Sequence, residues 1–154
     1  MPDYSDYNSR KSGKYSNIWT NTGKCVFCDL KDKYIIAKNA DAVLTVNLFP
    51  YIDGHLLVIP KRHVEDFLEL SASEWAKMRD LTDLGVRLIR KELGIKEVWL
   101  LFRAPNGFKA QKTVPHCHML VLPYKKGIVN WNYQDITISP IELAKRLRDA
   151  QTSN

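Results

Sequence analysis

The sequence predicts an α+β fold, a single domain with a mainly antiparallel sheet, one long helix and a short C-terminal helix. Three features predict it. Two β-branched apolar runs, AVLTVNLFP from Ala42 and GHLLVIP from Gly54, are separated by a short turn containing Asp53-Gly54. One long stretch with helical spacing follows, bounded by a start and a stop signal, and after it come two further apolar runs punctuated by proline. At 154 residues, 45% hydrophobic and 26% charged, the chain has the material for one compact core.

In chain order, residues 1 to about 22 are rich in Ser, Asn, Lys, Asp and Tyr, carry little periodic apolar content and read as a flexible arm before a domain over 23–154. The two runs that follow read as a hairpin. Ser71-Ala-Ser-Glu74 is a capping box: the serine accepts from an orphan amide and the glutamate reaches back to the serine's own amide. Trp75, Met78, Leu81, Leu84, Leu88 and Ile89 then recur on one helical face until Gly94 supplies the stop. KEVWLLFRA (96–104) reads as a strand, PNGFKAQK as a polar loop and VPHCHMLVLP (114–123) as the next strand. Ser139-Pro-Ile-Glu142 is a second capping box, predicting a helix over Ile141 to Ala150. No internal repeat or second domain is visible.

No run of about 18 uncharged apolar residues exists, which excludes a membrane-spanning helix, and the N-terminal stretch lacks the apolar segment of a signal peptide. A cytoplasmic location is therefore expected. The net charge of +6 favours polyanionic partners such as nucleotides, although scattered solubilising lysines would produce the same number.

Chemistry-bearing residues are few and grouped. Two of the three cysteines stand as Cys25-Val-Phe-Cys28, a spacing that in a reducing compartment reads as metal binding or redox chemistry, or as two ordinary cysteines beside Phe27. The four histidines are His55, His63, His116 and His118. A tetrahedral zinc site needs two ligands beyond a Cys-x-x-Cys hook, and spacing alone does not choose among these four. On an extended strand His116, His118 and Leu120 share one face, while Cys117, Met119 and Val121 share the other, where Cys117 behaves as a small buried hydrophobe.

VNLFPYIDGHLLVIPKRHV followed by PNGFKAQKTVPHCHMLVLP resembles the histidine triad superfamily of nucleotide hydrolases and transferases, with the Cys-x-x-Cys hook, Asn47, the GHLLVIPKRH block, Asn106-Gly107 and His-x-His in the right order. Within it, the Asn-Leu-Phe-Pro-Tyr and Gly-His-Leu run most resembles the diadenosine tetraphosphate phosphorylase-like branch. The resemblance implies that His118 attacks the α-phosphate of a nucleotide, such as a dinucleoside polyphosphate or nucleoside phosphoramidate, to form a covalent nucleotidyl-imidazole. It implies a structural zinc on Cys25, Cys28, His63 and His116, all four positions closed to water. Asn106, Gly107 and Thr113 are then expected at the phosphates, Asn47 at the ribose, and Lys112 at a phosphate or the leaving group unless it is a solvated loop lysine. A homodimer is implied too, with the helix from Ser71 a candidate interface.

One position departs from the family. The third triad histidine is Leu120, which neither accepts nor donates a hydrogen bond. Its presence opens a rival expectation, a nucleotide-binding sensor with weakened catalysis. A zinc-stabilised nucleic-acid-binding protein is a third reading, resting on the basic surface and the zinc hook.

Overall fold

The computed structural model describes residues 4, 5, 8, 11, 12, 23–106 and 110–151. Most of the expected N-terminal arm, and Gly107, lie outside the described residues. Five strands, β1 (Ile35–Lys38), β2 (Ala42–Val46), β3 (Leu56–Pro60), β4 (Val98–Leu101) and β5 (Met119–Pro123), form one sheet in the order β1-β2-β3-β5-β4. All neighbours are antiparallel. Two long helices among the described residues are α1 (Ala72–Leu93) and α2 (Pro140–Gln151), and no helix of the described residues is long and apolar enough to cross a membrane. The predicted α+β class is the observed one.

β2 and β3 pair from Ala42 with Pro60 to Val46 with Leu56, the predicted hairpin. The strand ends earlier than its composition suggests: the chain leaves the sheet at Asn47, so Asn47 lies just past β2 and not within it. Gly54 closes the connection at φ +81°, and a Cβ there would meet Leu93 Cδ1 at 2.7 Å and Pro123 Cγ at 3.1 Å. β1 has no counterpart in the sequence reading. Its four residues, IIAK, are too short to display a period, and only pairing with β2 defines them as a strand.

α1 begins and ends where its caps demand. Ser71 Oγ accepts from the Glu74 N–H at 3.2 Å, the Glu74 carboxylate accepts from the Ser71 N–H at 2.8 Å, and Gly94 takes the left-handed conformation at φ +68°. The buried stripe is Met78, Leu81, Thr82, Gly85 and Ile89, packed on Leu44, Leu56, Val58 and Val121. Trp75 and Leu84, expected on that stripe, stay 38% and 37% exposed at its margins. The α2 cap is only half a box: Ser139 Oγ accepts from the Glu142 N–H at 3.2 Å, but the Glu142 carboxylate turns to Arg146.

Because α1 covers one face of the sheet, the other is left for a smaller cluster, Leu57, Ile59 and Leu120, capped by Phe27 and Leu30 from the segment carrying the cysteines. The site occupies the rim of this second face.

Candidate active site and metal centre

The predicted strand over 114–123 is half as long as its composition suggests. Pro115 lacks an N–H, the His116 N–H bonds back to the Val114 carbonyl at 2.8 Å, and the Cys117 N–H bonds to the Val64 carbonyl at 2.6 Å. Regular pairing therefore starts only at Met119. The alternation of faces nevertheless holds: Cys117, Met119 and Val121 lie in the core under α1, while Leu120 lies in the opposite cluster. Burial pushes the Cys117 thiol up to about 11, as expected of a packing residue.

The irregular segment turns the two histidines to different partners. His116 is fully buried and its Nε2 donates to the Pro60 carbonyl at 2.8 Å. That bond leaves the Nδ1 lone pair facing Cys25 Sγ at 3.4 Å and Cys28 Sγ at 3.5 Å, and His63 Nδ1 lies 3.3 Å from Cys28 Sγ. All four ligand atoms fall within 4.8 Å of one another. A tetrahedral zinc with its usual Zn–S and Zn–N bonds sets sulfur and nitrogen about 3.5 Å apart, so these separations fit such an ion. Burial, then the neighbouring Cys25 sulfur, push the Cys28 thiol up to about 11, so a thiolate at Cys28 needs a cation beside it. Cys25, Cys28, His63 and His116 are thus grouped closely enough to bind a metal, and His55 and His118 are not in the group.

His118 is turned the other way round. Its Nδ1–H donates to the His116 carbonyl at 2.7 Å, which leaves the lone pair on Nε2, and Phe27 meets the ring edge-on at 5.0 Å. Burial above all, with help from the charges of Lys112 and Arg103, pushes its pKa down to about 4 and keeps the imidazole neutral near pH 7.

The expected substrate residues are placed unevenly. Asn106 Nδ2 donates to Glu65 Oε2 at 2.6 Å, and its buried Oδ1 has no partner among the described residues. Lys112 is only 2% exposed and donates to the Glu65 carbonyl, and burial lowers its pKa. Thr113 is half-buried beside it. Asn47 lies with Nδ2 3.2 Å from His55 Nε2, and its Oδ1 accepts from the Phe49 N–H at 2.9 Å. Four contributors had no role in the sequence reading: Phe27, Glu65, the Pro60 carbonyl, and Tyr51, which stacks on His55 at 5.1 Å. The interleaving of Phe27 between the cysteines is the one signal that pointed to any of them.

The HIT domain model matches residues 30–127. This chain belongs to the HIT domain family. An adenosine 5'-monophosphoramidase, HINT3, from Danio rerio is 30% identical over 114 residues, 70% of this chain and 69% of that protein. The asymmetrical bis(5'-nucleosyl)-tetraphosphatase of Schizosaccharomyces pombe is 34% identical over 101 residues, 63% of this chain and 51% of that longer protein. A solved HIT family protein from Bacillus anthracis superimposes with a TM-score of 0.71 at 21% identity, covering 86% of this chain and 98% of the other. HIT relatives of this chain thus include nucleotide hydrolases.

Proposed function

We propose that this HIT protein is a nucleotidyl hydrolase or transferase that attacks the α-phosphate of a nucleotide through a covalent nucleotidyl-His118 intermediate. The observation that carries the reading is the His118 Nδ1–H bond to the His116 carbonyl at 2.7 Å, which orients a neutral imidazole with Nε2 free. Forming the adduct splits one phosphoryl displacement into two in-line steps. Asn106, Gly107, Thr113 and Lys112 face the phosphates in this proposal and Asn47 faces the ribose. Incoming phosphate then competes with Glu65 for the Asn106 amide.

The metal is zinc and its role is structural, because four protein ligands leave no position for water. It ties the Cys25–Cys28 hook to the loop carrying His63 and to His116, which holds His118 through its carbonyl. Thiolate ligation suits a reducing compartment such as the cytoplasm. A homodimer is part of the proposal: Trp75 and Leu84 on α1, and Leu100 on the edge strand β4, leave apolar surface exposed where a second copy would cover it.

Rapid quenching with diadenosine tetraphosphate or adenosine 5'-phosphoramidate, read by intact mass, should show an adenylyl adduct that His118→Ala abolishes. Leu120 supports one rival, a nucleotide sensor. On that reading nucleotide raises the melting temperature, no adduct or turnover is seen at full zinc occupancy, and His118→Ala leaves affinity unchanged.

A further inference from the structure

Leu120 removes a polar group from the reacting face, and the register of β4 on β5 shows what stands nearby. Leu101 pairs with Leu120 and Leu100 with Val121. The Leu101–Leu120 pair is the last of the ladder, so Arg103, two residues past β4, and His118, just before β5, leave the sheet at the same end of two neighbouring strands. Leu120 itself is 2% exposed between Leu57 and Leu101 and has no proton to give.

Arg103 is held in a specific pose. Its Nη1 donates to the Tyr51 hydroxyl at 3.2 Å and to the Gln111 carbonyl at 2.8 Å, and the guanidinium lies 5.6 Å from the Tyr51 ring centroid. Tyr51 in turn stacks on buried His55 with 19° between the rings. A single nitrogen makes both anchoring bonds. The Nε and Nη2 hydrogens form the other edge of the guanidinium, the pair that grips two phosphate oxygens side-on, and that edge has no hydrogen-bond partner among the described residues.

We propose that Arg103 binds the departing phosphate while His118 attacks, in place of a proton donor at position 120, and that this chain therefore acts on nucleoside polyphosphates in preference to nucleoside phosphoramidates. The proposal rests on nucleotidyl transfer through His118. In that step Nε2 bonds to the α-phosphorus as the bond from phosphorus to the leaving oxygen breaks, and the electron pair departs on that oxygen. A polyphosphate is stable as the resulting anion, since its terminal ionisation lies at about pH 6, so it needs a fixed positive charge and no proton. An amine leaving a phosphoramidate must be protonated as its P–N bond breaks. A guanidinium does not give up its proton in a protein, and leucine has nothing to donate. In the second step the oxygen of water bonds to phosphorus, the N–P electron pair returns to Nε2, and the water proton goes to solvent.

The test compares wild type, Arg103→Gln and Arg103→Lys on diadenosine tetraphosphate and adenosine 5'-phosphoramidate, with zinc content and melting temperature measured on each. Wild type should favour the tetraphosphate in kcat/KM by about 100-fold or more. Arg103→Gln should lower the tetraphosphate value by about 100- to 1000-fold, chiefly through kcat, and lysine should restore part of it. The phosphoramidate value should fall at least about tenfold less than the tetraphosphate value, since the lost cation stabilises an anionic leaving group. Equal wild-type turnover of the two substrates, or an equal loss on both in Arg103→Gln, overturns the proposal while leaving nucleotidyl transfer standing. Absence of turnover and of adduct with both substrates in zinc-loaded wild type overturns nucleotidyl transfer itself.

Discussion

Leu120 is buried at 2% exposure on the strand position where the family resemblance calls for a histidine. It lies opposite Leu57 and Leu101, in an apolar cluster that Phe27 and Leu30 pack against. Replacing it by asparagine, near in shape but polar, should cost about 3 kcal/mol in denaturant unfolding, since it loses transfer energy and buries unpaired donors and acceptors. A loss below about 1 kcal/mol would mean that this corner admits water. His116 illustrates the converse case, a polar residue that is fully buried because both nitrogens have work: Nε2 on Pro60 and Nδ1 facing the sulfurs. Its neighbour His118 bonds by Nδ1 alone to a backbone carbonyl, so two histidines two residues apart are oriented for different chemistry.

At the scale of elements, α1 depends on Glu74 more than its capping role suggests. The carboxylate receives the Ser71 N–H and also the Arg62 guanidinium at 2.7 and 2.8 Å, which ties the helix start to the residue before His63. The Arg62 bonds, then the Ser71 amide, hold its pKa down at about 2 against an ordinary 4.5. A depressed carboxylate stabilises the fold fully above its unfolded value and loses that contribution as pH falls toward the folded one. Wild type should therefore be more stable than Glu74→Gln above about pH 4.5, with the gap in melting temperature narrowing as pH falls toward about 2; a gap independent of pH would contradict this assignment. Gly54 governs the hairpin in another way. Alanine there combines a positive φ with a 2.7 Å approach to Leu93, so Gly54→Ala should lose about 2–3 kcal/mol in the same unfolding assay.

At the scale of the whole molecule, the cysteine–histidine cluster joins segments far apart in the chain, and the proposed zinc would tie them together. Cys25 and Cys28 precede the sheet, His63 follows β3, and His116 precedes β5. Removing zinc with a chelator should lower the melting temperature by about 10 °C or more, and Cys28→Ser should show the same deficit with no further fall on chelation. Zinc content by elemental analysis distinguishes this from a chelator acting elsewhere.

Composition, capping boxes and the alternation of faces were enough to read the α+β class, the β2–β3 hairpin, α1 to within a residue, and the grouping of Cys25, Cys28, His63 and His116 through the motif they share with the family. Those are local or pattern properties, written in residue type and spacing. β1 was not legible, nor the early ends of β2 and β4, because strand limits are set by where a partner's hydrogen bonds run out. Spacing alone left four histidines as candidate ligands. Which nitrogen of His116 faces the cysteines was decided by the carbonyl of Pro60, and the stance of Arg103 by Tyr51 and Gln111, residues distant in sequence. Residue types and their spacing say which reactive groups this protein owns. How each is aimed is set by the fold, because the direction of a lone pair or a guanidinium edge depends on hydrogen bonds between residues distant in the chain.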